Sequence, residues 1–230
     1  MVIRSVFSQA IKEGITDEKN YPFGKKKISI KLPESTKVGI SPKEVKSLES
    51  IELDKVAHDH ARNLWLIAYY FAGMRISDVL RLRWSDFHHS RLHYTMGKNN
   101  KTGSLKVPEK ALNILAKYKN KKTKPDDFVF PDLRVLSDLS NDYEVKRKIS
   151  FAVKRHDKIL RLYVAPKAKI NTTLTMHIAR HTFATRAGDK IPIQMLQKLY
   201  RHSDIKTTIG YQANFIHKDA DKALDAVLGA

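Results

Sequence analysis

Residues 177–211 read HIARHTFATRAGDKIPIQMLQKLYRHSDIKTTIGY. His177 and Arg180 stand three apart, so on a helix of ~3.6 residues per turn they share one face. A helix over 177–187, a Gly188-Asp189 turn and a second helix over 192–200 fill the interval to His202. That helical hairpin returns the chain toward its starting point. A third helix starts near Ser203-Asp204 and carries Tyr211, nine residues beyond His202.

A guanidinium, two imidazoles and a phenol gathered in this way suit phosphate chemistry. Attack on a phosphodiester piles charge onto the non-bridging oxygens, and positioned cations or hydrogen-bond donors stabilise it. Arginine fits this better than lysine, because its fork binds two oxygens. A phenol of ordinary pKa ~10 needs a nearby cation or base to become a nucleophile.

Upstream, Ser41-Pro42-Lys43-Glu44 reads as a helix start, with Ser at the N-cap, Pro at N1 and Glu at N3. A helix over 56–72 is stopped by Gly73, and Arg75 falls in the turn beyond it. Ser77 is the expected cap of a short helix, Asp78 to Leu82. Leu92–Met96 and Ser104–Val107 read as two strands joined by the polar tip 97–103, where Lys98 and Lys101 could supply an ammonium. Helices are expected over 109–119 and 141–162, the latter basic on its polar side, and an apolar tail helix over 217–228. Residues 1–15 are amphipathic at helical spacing, and 20–40, with Lys25-Lys26-Lys27, read as a linker. Trp65, Tyr69, Tyr70 and Phe71 read as core, and Trp84 as a packing residue. His58/His60 and His88/His89 lack partners at ligand spacing, so no metal site is expected.

The 230 residues carry 43 Lys and Arg against 24 Asp and Glu, a formal charge of +19, and 42% are hydrophobic. Such an excess attracts polyanions and releases their counterions. The chain has no cysteine, which excludes a disulfide framework and suits a reducing cytoplasm. No apolar run approaches the ~20 residues of a membrane span.

Three motifs in order carry a more specific likeness: Gly73-Met74-Arg75-Ile76-Ser77-Asp78, His177-x-x-Arg180-His181-Thr182-Phe183-Ala184-Thr185, and His202-Ser203-Asp204-Ile205-Lys206-Thr207-Thr208 with Tyr211. They resemble the tyrosine recombinase (phage integrase) family over residues 41–215, the span of its catalytic domain. The resemblance implies that fold, mainly α with a small antiparallel sheet, for 41–230. It makes 1–40 the remnant of a core-binding domain, its last helix and linker.

It further implies roles. Tyr211 attacks the scissile phosphate, forming a 3′-phosphotyrosyl link and freeing a 5′-hydroxyl. Arg75 and Arg180 hold the non-bridging oxygens, His177 exchanges a proton with Tyr211, and His202 donates a hydrogen bond to the phosphate. A hairpin lysine is the general acid, with Lys98 favoured over Lys101 by its spacing to Pro108. His181 would support Arg180 from behind. Neither metal nor other cofactor is implied, because the covalent link retains the bond energy for rejoining.

The implied partners are double-stranded DNA and further copies of the chain, which assemble on DNA through the C-terminal tail. The implied setting is a mobile element's integrase in the cytoplasm, at the nucleoid. A non-catalytic DNA-binding module and a type IB topoisomerase are the alternative functions. The chain departs from the family at Tyr200-Arg201, where Leu-Gly is usual, and Arg201 reads there as an added phosphate contact.

Overall fold

The computed structural model describes residues 2–24, 27–29, 39–95, 102–136, 139–188, 190–202 and 205–212. The chain divides into two compact units, Met1–Ser35 and Thr36–Ala230. In the first, α1 (Val2–Lys12) follows the amphipathic repeat, and none of its residues is buried. Phe7 meets Tyr21 edge-on, and the Arg4 guanidinium lies 4.9 Å from the Phe23 ring. Lys27, though exposed, donates to the Lys19 and Tyr21 carbonyls at 2.9 and 2.6 Å. Lys25 and Lys26 lie outside the described residues.

The second unit begins with the expected capping box. Ser41 Oγ accepts from the Glu44 N–H and Glu44 Oε2 from the Ser41 N–H, starting α2 (Pro42–Ser50). The core centres on α3 (Val56–Tyr70), where Leu64, Trp65 and Ile67 are fully buried and Trp65 Nε1 donates to the Thr175 carbonyl. Phe71 is buried as expected, but Tyr69 and Tyr70 are only half-buried. Each has a polar end to place at the rim, and the Tyr70 hydroxyl donates to Glu49 at 2.8 Å.

The helix stops two residues before its expected end, because Ala72 (φ 55) joins Gly73 (φ 67) in the left-handed region. That turn sets the next start. The short α4 (Ile76–Val79) has Arg75, not Ser77, at its N-cap position, and no side chain caps it.

The sheet has three antiparallel strands in sequence order: β1 (Phe87–His88), β2 (Arg91–Thr95) and β3 (Thr102–Lys106). The sequence reading missed β1. The two-residue turn before β2 uses His89 (φ 50) and Ser90 (φ 58), both left-handed, without the Gly or Asn that usually marks such a turn.

Among the described residues, six further α-helices and a widened turn follow the sheet. First come α5 (Glu109–Ala116) and α6 (Asp142–Ile159), the latter burying Val145, Ile149, Ala152 and His156. Beyond residue 159 the helix widens into a π turn, Leu160–Val164, before α7 (Ala165–Lys167). Pro166 is the cause: it lacks an N–H, and its ring would meet the carbonyl of residue 162 in a regular α-helix. Then α8 (Met176–Ala187) packs against α3, while α9 (Ile193–Tyr200) and α8 both receive α10 (Ile205–Gln212). The expected tail helix over 217–228 lies outside the described residues. Among the described residues, no helix is long and apolar enough to cross a membrane.

Asp132 sits at the centre of a buried polar network. Its carboxylate accepts from His156 Nε2 (2.7 Å), His60 Nε2 (2.9 Å) and Arg155 Nη2 (2.8 Å). His60 Nδ1 in turn faces the Tyr118 hydroxyl at 2.8 Å. Burial opposes ionisation of Asp132. The hydrogen bonds from His156 and His60, with the charge of those rings, outweigh it and hold the carboxyl well below the usual range. A depressed carboxyl stabilises the fold fully above its unfolded pKa of ~3.9 and loses that contribution as pH falls toward the folded value. Asp132→Ala is therefore expected to cost about 3 kcal/mol at neutral pH. The gap between wild type and variant should close as pH drops below ~4, read by chemical unfolding at several pH values.

Candidate active site

Arg180 organises the site. It lies one turn into α8 and is 2% exposed. Its Nη1 donates to the Gly73 carbonyl (2.8 Å), and its Nη2 to the Tyr200 carbonyl (3.3 Å) and His202 Nε2 (3.1 Å). Its guanidinium carbon stands 3.6 Å from the centre of the Tyr200 ring. The Tyr200 hydroxyl closes the loop by donating to the Arg180 carbonyl. One side chain thus ties together the turn after α3, the end of α9 and the His202 segment.

The turn that carries Arg75 presses directly on this assembly. A Cβ on Gly73 would meet Tyr200 Oη at 2.8 Å and the Arg180 Cα at 3.0 Å. The position therefore requires glycine for both space and its left-handed backbone. Gly73→Ala is expected to destabilise the protein by about 2–3 kcal/mol, checked by denaturant unfolding. Arg75 follows two residues later, half-buried at the head of α4.

His202 has a defined tautomer. Arginine can only donate, so Nε2 accepts from Arg180, and Nδ1 carries the proton donated to Thr208 Oγ1 at 2.9 Å. Thr208 is fully buried on α10 and anchors that helix beneath His202. Tyr211 lies on the same helix, three residues farther on. Its backbone is described; its side chain is not among the described atoms.

His177 stands exposed in the first turn of α8, its ring edge-on to buried His181 at 4.8 Å. Lys98 and Lys101 lie outside the described residues, on the segment joining β2 to β3. Of the expected set, the described side chains show Arg180 and His202 in contact, with the Arg75 turn against Arg180.

Sequence reasoning missed three contributors. Tyr200 was read only as part of the departure from Leu-Gly and Thr208 only as part of a motif, and neither reading gave the contacts with Arg180 and His202. Gly73 was noted as a helix stop, but its close approach to Arg180 was not visible in the chain.

Among the described residues, the group close enough to hold a metal ion is His60, Asp132 and His156. His60's partners come from 72 and 96 residues away, which is why spacing along the chain did not reveal them. A cation there would have to displace Arg155 and two imidazole donors from the same carboxylate. The donor set fits an ion-paired network better than a metal centre.

A model described as the phage integrase family matches residues 40–217. The tyrosine recombinase XerA of Pyrococcus furiosus is 26% identical over 182 residues, covering 77% of this chain and 58% of that protein. A tyrosine recombinase of Thermosipho africanus is 31% identical over 161 residues, covering 69% of this chain and 50% of its own length. The chain thus spans about half the length of these curated relatives. Among solved structures, the Tn1549 transposon integrase in complex with a circular intermediate DNA superposes with a TM-score of 0.61 at 18% identity, covering 90% of this chain and 71% of that one. A lambda integrase dimer bound to a COC′ core site gives 0.57 at 15% identity, covering 91% and 70%. At these identities the structural likeness establishes the fold.

Proposed function

The chain belongs to the phage integrase family, and from that membership we propose that it is the catalytic part of a site-specific DNA recombinase, serving as the integrase of a mobile element. In this reading residues 1–40 are the end of a core-binding domain, and 41–230 form the catalytic domain. The observation that carries it is the buried Arg180, whose Nη2 is already offered to His202 while its Nη1 secures the Arg75 turn. A guanidinium used only for packing would not need a titratable ring as its partner.

The chemistry then runs as follows. Tyr211 Oη attacks phosphorus and gives its proton to His177. The bond from phosphorus to O5′ breaks, and O5′ takes a proton from Lys98, leaving a 3′-phosphotyrosine and a free 5′-hydroxyl. Arg75 and Arg180 neutralise the non-bridging oxygens. A phosphate oxygen arriving at Arg180 replaces His202 as acceptor for Nη2. His202, once protonated at Nε2, then donates to the phosphate while its Nδ1–H stays on Thr208. Rejoining reverses these steps with a new 5′-hydroxyl. Double-stranded DNA is the substrate, and self-association on it through the tail would pair two sites.

The test selects duplexes from a random-sequence nicked library by covalent capture on this chain, then measures the adduct on a denaturing gel. A protease-sensitive adduct at one sequence is expected. Salt-sensitive binding with no adduct at any sequence would make the chain a DNA-binding module. Relaxation of plasmid lacking the selected site would point to a topoisomerase.

A further inference from the structure

Arg201 closes α9 in the left-handed region (φ 52, ψ 38), where a non-glycine residue costs about 1–2 kcal/mol. The turn is otherwise regular: the Arg201 N–H donates to the Lys198 carbonyl and the His202 N–H to the Gln197 carbonyl. Glycine would occupy it with less strain, so the side chain must contribute something glycine cannot. Its guanidinium carbon lies 4.4 Å from the centre of the Tyr94 ring, a cation–π contact with a residue only 8% exposed. It also rests against Gly103 so closely that a Cβ there would come within 1.7 Å of Nη2. Tyr94 and Gly103 are directly opposed on β2 and β3. The residues on either side of Arg201, Tyr200 and His202, are both fastened to Arg180.

We propose that Arg201 is a positioning residue whose guanidinium, seated between Tyr94 and Gly103, bolts the turn presenting His202 to the β2–β3 ladder. This replaces the expectation that Arg201 contacts a DNA phosphate. Its catalytic consequence rests on the recombinase reading above. A shift of about 1 Å in a reacting group can cost on the order of 100-fold in rate, so loosening this seat should slow cleavage while leaving binding intact.

The experiment compares wild type, Arg201→Gly, Gly103→Ala and the double variant on the selected nicked duplex, with protein in excess. Glycine suits the left-handed backbone, so Arg201→Gly removes the seat without straining the turn. Each single change is expected to slow adduct formation about 10–100-fold while the DNA dissociation constant moves less than about threefold. The double variant is expected to be no slower than the slower single, because the methyl at 103 obstructs only when the guanidinium is there. The same non-additivity should appear in thermal unfolding, which reports the seat apart from any activity. Losses that multiply in the double variant would overturn the inference. So would weaker DNA binding by Arg201→Gly with a salt dependence reduced by about one ion, the mark of a direct phosphate contact. Absence of any adduct from wild type would sink the recombinase reading itself and the positioning role with it.

Discussion

Tyr211→Phe is expected to abolish the covalent adduct, a loss of at least about 10³-fold, and to leave DNA affinity within about twofold. Phenylalanine keeps the ring and removes only the oxygen proposed to attack phosphorus. The backbone of α10 is held by Thr208, whose hydroxyl accepts from His202, so the helix should survive the change. Denaturing-gel capture on the selected duplex reads the adduct, and a filter or gel-shift titration reads the affinity. Equal adduct yields from the two proteins would remove Tyr211 from the mechanism. Loss of binding together with the adduct would instead show that the hydroxyl serves the fold.

Arg180→Ala has the second large effect, on two scales at once. Removing one preorganised donor to a developing oxyanion costs about 10²–10³ in rate, and Arg180 supplies a charge as well, so about 10³-fold or more is expected. Stability should fall by about 3 kcal/mol, because the Gly73 and Tyr200 carbonyls lose their buried donor. For a domain of this size that is a drop of about 6–12 °C in melting temperature. Arg180→Lys separates the two roles. An ammonium is a point charge and cannot reach Gly73, Tyr200 and His202 together as the planar fork does. Lysine should therefore recover part of the stability but little of the cleavage. Full recovery of cleavage by lysine would mean that charge alone suffices and that the fork geometry is irrelevant.

The Arg201 seat and the Arg180 hub stand at two levels of the same turn. Arg180 holds the His202 segment from the core side, through hydrogen bonds to the ring and to the Tyr200 carbonyl. Arg201 holds it from the sheet side, through an aromatic face and a glycine. The substitution of Tyr-Arg for the family's usual Leu-Gly is then one coupled change. Tyr200 fills the space beside Arg180, and Arg201 offsets its backbone strain with a contact that glycine cannot make.

Much of this was legible in the chain. The capping box at Ser41 and Glu44 involves neighbours three residues apart, so local geometry alone fixes it. Helical periodicity placed α3, α6, α8 and α9 to within a few residues, and the motif order identified Arg75, His177, Arg180, His202 and Tyr211 as the residues to examine. The edges were less legible. Ala72, His89, Ser90 and Arg201 all adopt left-handed backbones that their side chains do not advertise. Residues of these types rarely adopt that region, so no window of sequence announced them.

What the sequence by itself determined is a helical, strongly basic chain whose Arg, His and Tyr residues are ordered for phosphate chemistry. Residue type sets charge and hydrogen-bonding capacity, and spacing sets which side chains share a helix face. What only the tertiary structure decided is who touches whom across the fold. Gly73 meets Arg180 across 107 residues, His60 and His156 meet at Asp132, and Arg201 meets Gly103. These pairings depend on how whole elements pack in three dimensions, and close packing fixes them through contacts between residues that the linear order keeps far apart.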